Sequence, residues 1–333
     1  MNKEKLLEAF NSFNNHNILI IGDVMVDSYL WGKVERISPE APVPIISVVK
    51  RENRLGGAAN VALNIKALGA KAIIASVIGD DEKGKIFFEL LKKRNLISDG
   101  IIESKDRLTT VKHRIISNGQ HLLRVDQETE LAINKNIEQQ FIENIIKILE
   151  EKAIDAIIFE DYDKGIITSQ VIENIIKAAN IQNIPVLVDP KKNNFANYHG
   201  ATLFKPNFKE LNDGMKLEIK KGDYEELHKA SQMLRDKMNI KSVLITLSEL
   251  GIFISYNGKY HQIPTQVRDI SDVSGAGDTV ISVASLCLIA GLDYKNIALI
   301  SNIAGGQVCE KVGVIPVNKE DLLNKCIDYL DCS

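Results

Sequence analysis

No stretch of this chain approaches the roughly 18 consecutive apolar residues that a bilayer-spanning helix needs, so the sequence points away from a membrane protein. An excess of charge of one sign is missing too. The chain has 41 Lys and Arg against 44 Asp and Glu, a formal net charge of −3. There is no basic block, which makes nucleic acid and anionic membranes poor partners. Cysteines are few, and Cys287, Cys309, Cys326 and Cys332 show neither CxxC spacing nor a His ligand pattern. A disulfide framework or zinc site is therefore not expected. Three of them sit in apolar, helix-like surroundings and read as reduced packing residues of a cytoplasmic protein. The first 15 residues form a polar amphipathic pattern (Leu6, Leu7, Phe10, Phe13), not a signal peptide. No internal repeat or low-complexity tract occurs. What is present, 45% hydrophobic and 26% charged residues over 333 positions, suits a soluble globule. The length fits one large domain, or one domain with a small accessory piece.

Short apolar strands alternate with amphipathic helices. Asn17–Ile21, Ala72–Ile78, Ala156–Phe159, Pro185–Val188, Ala201–Phe204 and Ser242–Thr246 read as strands. Most are unbroken apolar runs, as expected for parallel strands buried on both faces. Ala58–Leu68, Lys85–Arg94, Ile137–Glu151, Ser169–Ala179 and Tyr224–Lys237 read as helices between them. This rhythm predicts an α/β fold: a three-layer αβα sandwich around a mainly parallel sheet. Ligands in such sheets bind at the carboxyl ends of the strands. Two regions break the rhythm. Tyr29–Lys50 holds Pro39, Pro42 and Pro44, then the alternating Ile45–Val49. Thr110–Ser117 and His121–Val125 read as strands joined at Asn118-Gly119, a strong hairpin signal. Segments of about 29–50 and 109–126 are expected to form a small β-sheet lid. Its Trp31, Ile45 and Val48 would leave an apolar face for a second copy of the chain, making a homodimer.

The richest segment is Asp272-Val-Ser-Gly-Ala-Gly-Asp-Thr279, followed by the apolar run Val280–Ile289. Gly275, Ala276 and Gly277 would sit at a helix N-terminus, where free N–H groups and the macrodipole attract an anion. Asp278 at the mouth of that cradle would repel a phosphate. It makes sense as a base that takes the proton of a hydroxyl attacking phosphorus. The same residues would also serve as an ordinary helix start with a first-turn acid. A rival phosphate loop, Gly79-Asp-Asp-Glu-Lys-Gly-Lys85-Ile86, falls short of the P-loop pattern. Ile86 has no hydroxyl for magnesium, and Asp80, Asp81 and Glu82 put three carboxylates where a polyphosphate would lie. It reads as a turn and helix cap.

Other groups cluster at predicted strand ends. Asp23 and Asp27 follow the first strand and suit sugar hydroxyls, since a carboxylate accepts two at once. Gly56, Gly57 and Asn60 open a helix with room for close backbone approach. Asn207 and Glu210 share a first helical turn. They suit magnesium-bound water near a triphosphate, and equally a capping box. Lys191 ends another strand. Thr246, Ser248 and Gly251 could border a nucleotide, and Glu160-Asp-Tyr-Asp-Lys164-Gly165 ends a further strand.

Together, Asp27, Gly56-Gly57 with Asn60, Asn207-x-x-Glu210 and Gly275-Ala-Gly-Asp278 resemble the ribokinase-like (PfkB-type) carbohydrate kinases, over essentially the whole chain. Arg36-Ile-Ser-Pro-Glu-Ala-Pro-Val-Pro44, Leu55–Ala62, Asp161-Tyr-x-Lys164-Gly165 and Val188-Asp-Pro-Lys191 resemble more narrowly the heptose-phosphate kinases of ADP-heptose synthesis. The resemblance implies a single ribokinase-like domain over residues 1–333. It implies MgATP-dependent phosphorylation of D-glycero-β-D-manno-heptose 7-phosphate at O1, feeding the lipopolysaccharide core. ATP would lie on Asn207, Glu210, Thr246, Ser248 and Gly251, with Glu210 ordering magnesium-bound water. The sugar would lie on Asp27, Gly56, Gly57 and Asn60. Its own phosphate needs basic partners, for which Lys112, Arg114, Arg124 and Lys191 are candidates. A potassium site beside the anion loop would implicate carbonyls near Asp272 and Ser274. Many relatives carry a nucleotidyltransferase domain with an H-x-G-H type motif. None is found here, so a separate nucleotidyltransferase is expected in the same pathway. Val273 stands where general ribokinase-like enzymes have Thr, and Glu160 and Asp163 leave Lys164 unassigned to phosphate. The competing readings are a kinase of another sugar phosphate or nucleoside, and a sugar-binding regulator without turnover.

Overall fold

The computed structural model describes residues 1–265 and 270–332. Its strands are β1 (Asn17–Gly22), β2 (Val24–Ile37), β3 (Pro44–Gly57), β4 (Lys71–Gly79), β5 (Ile97–Ser104), β6 (Val111–Ser117), β7 (Gln120–Gln127), β8 (Ala156–Glu160), β9 (Val186–Asp189), β10 (Leu203–Phe204), β11 (Ser242–Thr246), β12 (Ile252–Tyr256) and β13 (Lys259–Ile263). Its helices are α1 (Lys3–Ser12), α2 (Ala58–Ala67), α3 (Glu82–Lys93), α4 (Lys135–Glu151), α5 (Ser169–Ile181), α6 (Phe208–Met215), α7 (Tyr224–Met238), α8 (Ala276–Ile289), α9 (Tyr294–Cys309) and α10 (Lys319–Asp331).

A nine-stranded sheet runs β13-β12-β11-β10-β9-β8-β1-β4-β5, parallel from β11 to β5 and antiparallel at the β12–β13 edge. Alternate residues of β1 feed different cores. Ile18 and Ile20 join the layer holding α2 and α8, while Leu19 and Ile21 join the layer of α4, α5 and α7. Both faces are thus dry, which is why the strand sequences are unbroken apolar runs. Helices pack on each side, some with one apolar face and α8 buried at every residue from Asp278 to Cys287, giving the expected three layers.

The second sheet has the order β3-β2-β6-β7. Asn118 and Gly119 take φ of 50° and 77°, the left-handed pair that a tight two-residue hairpin requires. The sheet is larger than expected: β2 begins at Val24, one residue after β1 ends, and β3 runs to Gly57. Asp27 therefore belongs to the small sheet rather than to the end of β1. The strand expected at 201–204 shrinks to Leu203–Phe204, since Pro206 and the turn before Ala201 leave room for no more. The β12–β13 hairpin turns on Asn257-Gly258, with φ of 44° and 71°. That is the same signal as at Asn118-Gly119. The near P-loop is a cap: Asp81 accepts from the N–H groups of Gly84 (2.7 Å) and Thr109 (2.8 Å).

Candidate active site

In the parallel sheet the chain moves from β1 to β4 and β5, then returns to β8 on the other side of β1. Open α/β sheets bind ligands at such a switch point, at the strands' carboxyl ends. Here those ends carry acids: Glu160 closes β8 and Asp189 closes β9. The N-terminus of α8 lies over them. A Cβ on Gly277 would stand 3.5 Å from Lys205 Nζ and 3.6 Å from Asp189 Oδ2. Gly275 caps α8 with φ of 80°, and a Cβ there would stand 2.9 Å from Asn60 Nδ2. Glycine is needed at this position on both counts.

Asp278 is buried and held on both oxygens. Asn60 Nδ2 donates to Oδ2 at 2.7 Å, and the Tyr162 hydroxyl donates to Oδ1 at 2.9 Å. Burial raises its carboxyl above the ordinary carboxylate value. The Asn60 hydrogen bond opposes that, the Asp189 charge adds to it, and the Tyr162 hydrogen bond and Lys205 charge oppose it. The anion cradle is narrower than the triplet suggests. Ala276 N–H turns back to Val273 O (3.3 Å) and Thr279 N–H to Gly275 O (3.0 Å). The N–H groups of Gly277 and Asp278 have no acceptor among the described residues, and they face the dipole's positive end.

Glu160, Asp189 and Asp278 each bring a carboxylate oxygen within 4.8 Å of the other two. Like charges this close in a dry site cannot all ionise without compensation. Lys205, itself buried, pairs with Asp189 at 2.7 Å. Burial works against that ammonium, but Asp189, Glu160 and Glu210 hold its pKa above the ordinary lysine value. Burial, then Asp189 and Asp278, push the Glu160 carboxyl well up. Its Oε2 has no hydrogen-bond partner among the described residues.

The structure sorts the residues expected from sequence. Asn60 stands beside Asp278, on the first turn of α2. Gly56 and Gly57 lead into that helix. A Cβ on Gly56 would collide with the Asp27 carboxylate, and one on Gly57 with the Asp23 carbonyl. Asn207 and Glu210 form the capping box of α6, at 2.8 Å in both directions. Glu210 also takes Lys191 at 2.5 Å, and Lys191 lies 5.5 Å from the centre of the Tyr162 ring. Lys191 thus sits between Tyr162, the partner of Asp278, and the Asn207–Glu210 turn. Thr246 bridges to Asn207 across the strand ends, while Ser248 and Gly251 shape the turn after β11 with φ of 56° and 87°. Asp272 ties its loop together, accepting from the N–H groups of Ser274 and Gly313, each at 2.9 Å.

Three of the expected residues are engaged within the chain itself. Asp23 is turned into the protein. It is fully buried and accepts from the N–H groups of Tyr162 (2.7 Å), Lys164 (3.2 Å) and Ile166 (3.4 Å), which fixes the loop that carries Tyr162. Lys112 bridges Asp126 and Glu128, each at 3.0 Å. Arg124 is largely exposed and sits on Asp126 at 3.1 Å. Lys164, left unassigned, is bound to Glu128 at 2.7 Å. Tyr162, Asp189 and Lys205 were passed over as site residues, although each stands at a strand end within a segment already singled out. Their signal was position rather than type.

The solved structures of similar fold include phosphofructokinase-2 from Escherichia coli in complex with potassium (TM-score 0.79, 20% identity, 95% of this chain and 99% of that one). They also include Arabidopsis thaliana ribokinase complexed with ribose and ATP (TM-score 0.69, 16% identity, 92% and 98%). In sequence, bifunctional protein HldE of Pelobacter propionicus is 37% identical over 325 residues, and that of Helicobacter pylori strain G27 is 39% identical over 305. These alignments cover 97% and 92% of this chain but 66% and 65% of the relatives' length. The family model for pfkB carbohydrate kinases matches residues 15–321, and the chain belongs to that family.

Proposed function

We propose that this chain transfers the γ-phosphoryl group of ATP to O1 of D-glycero-β-D-manno-heptose 7-phosphate, giving the 1,7-bisphosphate. One observation carries the reading: a buried carboxylate, Asp278, lies at a helix N-terminus whose Gly277 and Asp278 N–H groups are unspent. Asp278 takes the proton of the sugar hydroxyl as that oxygen attacks phosphorus. The free N–H groups stabilise charge on the phosphoryl in flight. Asn60 and Tyr162 hold the base in place. ATP lies toward Asn207, Glu210, Thr246, Ser248 and Gly251, and the sugar toward Gly56, Gly57 and Asp27. The heptose identity is supported by the specific motifs of the sequence and by the relatives named HldE.

Kinases of this family use ATP with a divalent metal. The residues present fit a magnesium ion: the donors are all oxygens, and Glu160 keeps an unpartnered buried one. Glu160 and Asp189 would hold it, with Glu210 acting through water, and it would neutralise phosphate oxygens. Potassium near Asp272 and Ser274 is tested by the dependence of rate on KCl against NaCl. The small sheet is proposed as a lid and as the face of a homodimer. It exposes Ile37, Val49 and Leu123, and a sedimentation measurement at micromolar concentration tests the dimer. Among the described residues no helix is long and apolar enough to cross a membrane.

The decisive experiment is mass-spectrometric detection of a bisphosphate from the heptose 7-phosphate and ATP, within a panel of sugar phosphates and nucleosides. Release of ADP with none of them would sink the kinase reading. Turnover of a different acceptor alone would sink the heptose.

A further inference from the structure

A sugar phosphate brings a dianion to the site, and the sequence candidates for holding it are mostly spent: Lys112 on two acids, Arg124 out on the surface, Lys191 on Glu210. The strand register shows another arrangement. β3 and β6 flank β2, with Arg54 opposite Asp27 and Arg114 opposite Tyr29. Residues two apart on a strand share a face, so Asp27, Tyr29, Arg54 and Arg114 stand on one face of the small sheet. Arg54 and Arg114 both pack on the Tyr29 ring, at 4.7 and 5.5 Å from its centre.

That face is the one turned to the anion loop. A Cβ on Gly313 would stand 2.8 Å from Arg54 Nη1, and Gly313 N–H is bonded to Asp272 at the start of that loop. The next residue, Val314, lies against Gly275, which in turn abuts Asn60. A continuous path of contacts therefore leads from the base through Asn60 and the loop to the two arginines. Each guanidinium uses one edge. Arg54 Nε donates to Glu52 at 2.8 Å, and Arg114 Nη1 donates to Asp27. Their other N–H groups donate to nothing among the described residues. A guanidinium has five donors in a planar fork that matches phosphate, so each keeps a free edge.

We propose that Arg54 and Arg114, stacked on Tyr29 and anchored by Glu52 and Asp27, form the subsite for the phosphate that the sugar already carries. This rests on the sugar-phosphate reading above and names the residues that enforce it. Arg54 is a specificity-determining residue that no local motif marks. Asp27 then serves the sugar and also sets the Arg114 fork. The free edges select a phosphorylated acceptor, since leaving them unpaired against an uncharged sugar forfeits the charge-assisted hydrogen bonds.

The test compares wild type and Arg54→Met with the sugar phosphate and with the same sugar lacking its phosphate. The ratio of the two kcat/KM values should fall roughly 10²-fold in the variant, the size of a lost charge-assisted contact. Inorganic phosphate should compete with the sugar phosphate in wild type and lose that competition in the variant. If Arg54→Met does not fold, Arg54→Lys gives the same readout, with a fall of about tenfold, because lysine keeps the charge but not the fork. An unchanged ratio, or phosphate competition that survives the substitution, overturns the subsite while leaving the kinase assignment intact. Wild type that phosphorylates no sugar phosphate at all overturns the underlying reading instead.

Discussion

Replacing Asp278 by Asn removes one charge and almost no volume. The site is built to tolerate it. Asn60 Nδ2 can still donate to the remaining amide oxygen, and the Tyr162 hydroxyl can turn and accept from the new N–H, because a phenol does both. The charge itself is a burden on the fold. Asp278 is fully buried, and Glu160 and Asp189 bring carboxylate oxygens within 4.8 Å. Its pKa is raised chiefly by burial, so the protonated form favours folding and that contribution is lost as pH rises through the folded pKa. At pH 7 the Asn variant escapes this loss and should be no less stable than wild type.

Turnover should behave oppositely. Proton removal by a positioned base contributes about 10²–10⁴-fold, or roughly 3–5 kcal/mol of barrier. Loss of only that term lowers kcat by the same factor and leaves the KM for ATP close to its original value, since the residues proposed for the nucleotide stand on other strand ends. The assay is coupled ADP release, alongside a chemical denaturation curve for each protein. Near-normal kcat in folded Asp278→Asn would falsify the role of base. A variant that unfolds would refute the claim that the charge is a cost.

Tyr162→Phe removes one hydrogen bond to the base. We expect kcat to fall about tenfold or somewhat more, and to fall no further when Asp278→Asn is already present, as a double-mutant cycle would register. For Asp23, burial first and then the Asp161 charge raise the carboxyl to about 6, so its contribution to stability is lost as pH rises through that value. In Asp23→Asn the stability difference from wild type should shift toward the variant by about 2.4 kcal/mol between pH 4 and pH 7, measured by denaturant titration, and a flat difference would count against it. Lys205→Met leaves three clustered carboxylates without their buried cation and should cost about 3–5 kcal/mol. Adding Asp189→Asn should recover part of that loss, and its failure to do so would show that the pair is not the cause.

The layers were legible because burial writes itself into sequence. β1, β4 and β8 are dry on both faces along most of their length, so apolar residues fill nearly all of their positions. The edge strands were less so. β5 reads Ile-Ser-Asp-Gly-Ile-Ile-Glu-Ser, half of it facing water, with no run to detect. The β12–β13 hairpin carried its own Asn-Gly and went unread beside the stronger apolar signal of β11. Asp27 was placed at the wrong element because a single residue, Asp23, separates β1 from β2, and no local pattern marks a strand that leaves one sheet for another.

At the site, sequence proximity told less than partnership does. Asp23, Asp189 and Asp278 all follow short apolar or glycine-rich segments and look alike on the page. Their partners differ in kind. Asp23 collects three backbone N–H groups and so is locked into the loop it organises. Asp189 is paired with the buried Lys205 ammonium at 2.7 Å, so its carboxylate is engaged by a cation. Asp278 alone of the three is held by two neutral side-chain donors, from residues 218 and 116 positions away in the chain. Neutral donors fix a carboxylate in place while burial keeps its proton affinity up, and that combination is what proton removal demands. The proposal that Asp278 is the base therefore rests on two supports: its place beside the glycine-rich helix start, which the sequence shows, and the neutral partners on both of its oxygens, which only the fold brings together.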